Sequence, residues 1–142
     1  MLKIIINHQE KIKEIFKKIE FLRDNFIFND AFFEELEDLA KKMKEEIDFH
    51  FNLQIYSVGE NKKVNHLVKE SLLIRDILFR MLEYIIFKSK EKSLDAFLKF
   101  DDFEEILKAY LKKEKGLFLQ NLSSYLNGEE IKEIEEKLEK LI

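Results

Sequence analysis

The chain has 142 residues, 46% of them hydrophobic and 38% charged, a balance that suits one folded domain with a single sizeable core and excludes a disordered chain. Its net charge is −4, with acids and bases interspersed, which argues against nucleic acid as a partner; without cysteine, no disulfide can form. There is no proline and there are only three glycines, so long helices are expected and strands are not.

The opening "MLKIIINHQE" carries too short an apolar run for a secretory signal and lacks a small-residue cleavage site. The most apolar stretch, "LLIRDILFRMLEYIIF", is interrupted by four charged residues and does not read as a membrane span. The expectation is a single cytoplasmic domain over residues 1–142.

The first helix is predicted over about residues 3–26, with Ile5, His8, Ile12, Ile15/Phe16, Ile19 and Leu22 on one face. The "FND" turn follows, with Asn29 or Asp30 as N-cap of a second helix that runs to about residue 57. Its stripe is Leu36, Ala40, Met43, Ile47, His50/Phe51, Gln54 and Val58, and Gly59 is placed to end it as a C-cap. A third helix is predicted over about residues 62–87, with Val64, Leu67/Val68, Ser71, Ile74/Arg75, Leu78, Met81/Leu82 and Ile85 inward.

"SLDAFLKF" reads as a short connecting helix, and Asp101 with Glu104 has capping-box spacing to open a fourth long helix. That helix carries Phe103, Ile106/Leu107, Tyr110, Glu114 and Leu117/Phe118. Asn127 with Glu130 caps a last short helix over about residues 129–141. Four helices of similar length with short connections predict an all-α, up-down-up-down four-helix bundle with an extra C-terminal helix on its side.

Each stripe has a polar interruption: His8 in the first helix, His50 with Gln54 in the second, Ser71 with Arg75 in the third, Tyr110 with Glu114 in the fourth. At about 1.5 Å per residue, these positions lie within about two turns of each other near one pole of such a bundle. Burying them is costly unless they satisfy one another or hold an ion.

Several segments carry a resemblance. "NHQEKIKEIF" resembles the first-helix histidine segment of the hemerythrin-like, or HHE cation-binding, family, and "FHFNLQIY" resembles its second-helix H-F-x-x-E. "VKESLLIRDIL" resembles x-x-E-H-x-x-I-R-x-x-L, "LKAYLKKEKGLF" resembles L-x-x-H-I-x-K-E-E-x-L-F, and "LNGEEIKEIEEKL" resembles the closing L-S-x-E-E helix. The resemblance covers nearly the whole chain. It implies a layer that holds two irons through histidines and two bridging carboxylates. Here His8, His50 and Glu114 stand at ligand positions, while Gln54 replaces a carboxylate, Ser71 and Tyr110 replace histidines, and Arg75 stands where longer members have another histidine.

Two uses of that layer follow. His8, His50 and Glu114 form a set that could hold one Fe(II), Zn(II) or Mn(II), with Gln54, Ser71, Arg75 and Tyr110 lining the site. Alternatively, Glu114 pairs with a protonated histidine or with Arg75, and no metal binds. The corresponding functions are a binding or sensing module with at most one metal ion, or a metal-free interaction protein that keeps the fold and binds an unidentified protein partner. A mononuclear iron oxidase or peroxide-handling enzyme ranks below both, because no acid, base or substrate pocket is legible. Leu72, Phe79 and Ile86 form a second apolar row on the third helix, which predicts a homodimer through that helix.

Overall fold

Ile5, Ile12, Phe16, Ile19 and Leu22 recur at helical spacing and are buried along α1 (Lys3–Asp24). The computed structural model describes residues 2–142. α1 stops two residues short of the predicted end because Asn25 turns both its backbone and side-chain amides onto the Phe21 carbonyl, at 3.1 and 2.9 Å. α2 (Asp30–Ser57) starts where expected, with the Asn29 side chain accepting from the Phe32 amide at 3.1 Å.

The expectation for Gly59 fails in its mechanism. Its φ is not positive, so it makes no left-handed cap. Instead its amide returns to the Gln54 carbonyl at 3.0 Å, and a Cβ there would lie 2.6 Å from the Ile55 carbonyl oxygen. The residue is required for close approach of backbone to backbone. α3 (Asn65–Lys90) begins three residues later than the stripe predicts, because Asn61 accepts from the Lys63, Val64 and Asn65 amides and holds a turn ahead of it.

The connecting helix and the fourth helix are one element, α4 (Asp95–Lys113). Asp101 therefore caps nothing. Ala96, Phe97, Phe100, Phe103 and Leu107 are buried in unbroken helical register across it, and its carboxylate binds Arg23 of α1. After α4 the backbone widens into a π turn (Glu114–Phe118), resumes as α5 (Leu119–Tyr125), and closes with α6 (Gly128–Leu141), whose capping box is Asn127 with Glu130 as the sequence predicts.

The architecture is an all-helical bundle; no strand occurs among the described residues, and none of their helices is long and apolar enough to cross a membrane. Consecutive long helices pack along their lengths, and α6 lies against α2. One apolar cluster runs from Ile12 and Met43 down to Phe33 and Phe97. A second gathers Ile5, Leu53, Val64, Phe118 and Leu122 with Ile134 and Leu138 of α6. Leu72, Phe79 and Ile86 are half-buried against their own core, with Lys44 and Arg75 both over the Phe79 ring. The exposed apolar residues of α3 are instead Leu73, Ile77, Tyr84 and Phe87.

The two glycines flanking these turns should respond with opposite sign. Gly59→Ala forces a methyl into the Ile55 backbone and is expected to destabilise by about 1–3 kcal/mol. Gly116→Ala meets no atom within 4 Å and is expected to stabilise by about 0.4–1 kcal/mol through lost freedom of the unfolded chain. Urea unfolding of both variants checks the pair.

Candidate functional site

Between the two apolar clusters lies a polar layer. His8, Gln9, His50, Gln54, Ser71 and Glu114 are all buried, and His50, Gln54 and Glu114 are 0% exposed. α1 supplies His8 and Gln9, α2 supplies His50 and Gln54 one turn apart, and α4 delivers Tyr110 one turn ahead of Glu114. Glu114 opens the π turn, so the backbone departs from α-helical winding at the residue that must face the interior.

Glu114 is the hub. Its Oε1 accepts from Gln9 Nε2 at 2.8 Å and contacts His50 Nε2 at 2.6 Å. Its Oε2 accepts from the Tyr110 hydroxyl at 2.9 Å and from the Gln54 amide. A carboxylate has about four lone-pair sites, and these four partners occupy them. Burial alone would push the Glu114 carboxyl up; the charge of His50 and the hydrogen bonds from His50, Gln9 and Tyr110 outweigh it and hold the group below the ordinary 4.5. Burial and the Glu114 charge push the Tyr110 phenol above its usual range, so it remains a donor.

From His50 the network continues outward. His50 Nδ1 faces His8 Nδ1 at 2.9 Å, and His8 Nε2 meets Glu46 Oε2 at 2.7 Å. Glu46 is one-third exposed, so the chain Glu114–His50–His8–Glu46 connects the interior with solvent. The partners assign the protons. His8 donates through Nε2 to Glu46 and His50 through Nε2 to Glu114, and the contact between the two Nδ1 atoms needs one further proton, carried by either ring. Burial lowers the His8 pKa from 6.5; the Glu46 hydrogen bond opposes this, and the charge of His50 adds to it.

The structure thus brings His8, His50, Glu114, Gln54 and Tyr110 into one network. Ser71 bonds its own helix, to the Leu67 carbonyl at 3.2 Å, while lining a cleft of about 260 Å³ with Tyr110 and Glu114. Arg75 does not line the layer: it turns outward to Asp76 at 3.1 Å and over the Phe79 ring, because that face of α3 borders solvent. His66 is exposed, with its ring edge on Tyr125. Sequence reasoning missed Gln9 and Glu46. Glu46, His50 and Gln54 recur every fourth residue, a signal that was there to find; Gln9 lies beside the stripe, and only the closeness of α1 to α4 reveals it.

The donors do not converge on a single point. His50 spends one ring nitrogen on His8 and the other on Glu114, so in this arrangement no one ion can take His8, His50 and Glu114 together. No group of three or more His, Cys, Asp or Glu side chains among the described residues has a geometry that could hold a metal ion. One buried acceptor, Gln54 Oε1, has no partner. Comparison with protein families, with curated proteins and with solved structures finds no match to this chain.

The layer makes folding acid-sensitive. His8 and Glu114 both have depressed folded-state pKa values, so the unfolded chain binds more protons. The His8 contribution to stability should be fully present above pH 6.5 and be lost as His8 is forced to protonate below it, and the Glu114 contribution should be present above 4.5 and be lost below it. Urea unfolding across pH 8 to 3 checks this, and His8→Gln should flatten the upper part of the profile. Glu114→Gln takes the carboxylate from four buried partners and is expected to cost about 3–5 kcal/mol at neutral pH.

Proposed function

We propose that the protein is a hemerythrin-like binding and sensing module, an up-down-up-down bundle whose former metal layer is held by hydrogen bonds instead of by an iron pair. The observation that carries this is the position of His50, which bridges His8 and Glu114 through its two ring nitrogens. In the resembling family those side chains would each give a nitrogen or oxygen to iron. Here His50, Gln9, Gln54 and Tyr110 supply the hydrogen bonding that a buried carboxylate needs. A non-enzymatic role in the cytoplasm accompanies this reading.

A single-ion reading draws support from one feature, the unpartnered Gln54 Oε1 beside Glu114. An ion there would take Glu114 and Gln54 oxygens and His50 Nε2, in place of the His50–Glu114 hydrogen bond. The metal would supply charge neutralisation, and the residues of this chain would hold and orient it.

Anaerobic Fe(II) titration with equilibrium dialysis distinguishes these readings. The parent is expected to hold no iron pair and at most one weakly bound ion. The Gln54→Glu, Ser71→His, Tyr110→His triple variant restores the resembling family's set and is expected to take up more iron, with charge-transfer absorption absent from the parent. A parent that binds two irons per chain overturns the proposal. Nitrogen-15 spectra of the rings give an independent check: His8 and His50 are expected to hold three ring protons between them, one of them between the two Nδ1 atoms.

Self-association through α3 belongs to the same proposal, now through Leu73, Ile77, Tyr84 and Phe87. Sedimentation should show a dimer that Ile77→Lys dissociates; a monomeric parent at high concentration would refute it.

A further inference from the structure

Hydrogen bonds and ion pairs join α1 and α4 at two places, and the packing is looser between them. At one end Gln9 donates to the Leu111 carbonyl at 3.1 Å and to Glu114. At the other, Arg23 binds Glu104 at 2.8 Å together with Asp101. These two clamps show that the helices run in opposite directions. From Gln9 to Glu20, about 16 Å at the rise of an α-helix, they leave a cleft of about 460 Å³. Elsewhere in the bundle neighbouring helices meet along their lengths; this seam is sparser, with Phe16 meeting Phe100 at 5.2 Å and the Lys108 ammonium 5.1 Å from the Phe16 ring between the clamps.

The floor of the cleft is apolar: Ile12 and Phe16 from α1, Leu107 and Leu111 from α4. Its rim is basic. Lys13 and Lys17 stand on one side, and Lys108, Lys112 and Lys115 on the other, against a single acid, Glu20. Glu20 already faces Arg23. Two of the lysines are engaged, Lys13 with Glu10 and Lys108 with Glu104. Lys17, Lys112 and Lys115 have no ion-pair partner among the described residues. Such a concentration of positive charge is unexpected on a chain whose net charge is −4.

Apolar floor, basic rim and size together define an occupant. The volume lies in the range of small-molecule sites. It is too small for the apolar face of a partner helix, which with side chains is about 10–12 Å across. We propose that this cleft binds a free fatty acid, with the acyl chain along Ile12, Phe16 and Leu107 and the carboxylate between Lys112 and Lys115 at the Gln9 end. Lysine stems cover the chain while their ammonium groups stay in water and meet the carboxylate. The clamp at Gln9 then makes the bound carboxylate a near neighbour of the polar layer, through the side chain that holds Glu114. The proposal does not rest on the fate of the iron layer, and its test is independent of it.

The test is calorimetric titration of the full chain with dodecanoate below its micelle concentration, with carbon-13 methyl spectra to locate it. One molecule per chain is expected, with shifts at Ile12, Leu107 and Leu111. Lys112→Gln with Lys115→Gln should weaken binding about tenfold, as expected for two charge contacts of ordinary surface strength, and dodecanol should bind the parent no better than dodecanoate binds that variant. Lys18→Gln with Lys42→Gln, away from the cleft, should change nothing. Absence of saturable binding, equal affinity in the Lys112/Lys115 variant, methyl shifts elsewhere, or binding to phosphatidylglycerol vesicles without binding to monomeric dodecanoate would each overturn the proposal.

Discussion

The fold turns on the burial of one negative charge. Glu114 is wholly withdrawn from water, and an isolated carboxylate in that position would be prohibitively costly. Four donors from three helices make the position tenable: Gln9 from α1, His50 and Gln54 from α2, and Tyr110 one turn away on α4. Because these donors come from different helices, satisfying Glu114 also fixes how far each helix has slid along its neighbours. A slide of one turn would strand a carboxylate and its buried donors in the interior. Apolar stripes tolerate such slides far better than charges do, so the register of the bundle is set mainly here.

The π turn and the seam between α1 and α4 belong to the same construction. Winding Glu114–Phe118 more loosely lets the carboxylate point inward while Phe118 and Leu122 enter the second apolar cluster. Gln9 reaches across to Leu111 and Glu114 at that level, and Arg23 draws α4 back to α1 at the other end through Asp101 and Glu104. The cleft between those two attachments is a by-product of pinning two helices at their ends.

Much of this was legible in the sequence. The stripes located every long helix, Asn29 and the Asn127/Glu130 pair marked two starts, and the interruptions at His8, His50, Gln54, Tyr110 and Glu114 marked the layer. The errors share a physical origin. Capping-box spacing at Asp101 was outweighed by Phe97, Phe100 and Phe103, whose burial carries the helix straight through. Gly59 serves close approach, which no pattern encodes, and Arg75 faces outward because a half-buried stripe position can choose solvent when an acid waits beside it. Gln9 and the π turn depend on how two helices separated by about a hundred residues meet, and periodicity along one helix carries no information about that.

The polar layer also partitions the interior. On one side lies the large cluster of α1, α2, α3 and α4; on the other, the smaller cluster to which α5 and α6 contribute. Leu72 packs against both at the edge, and between them lies a plane of hydrogen bonds. The molecule therefore has two cooperative blocks sharing a wall: the smaller block can open and reclose while the larger stays folded, as long as the wall holds. Amides of α6 should then exchange with solvent through brief partial openings, and those lining the wall only when the whole chain comes apart.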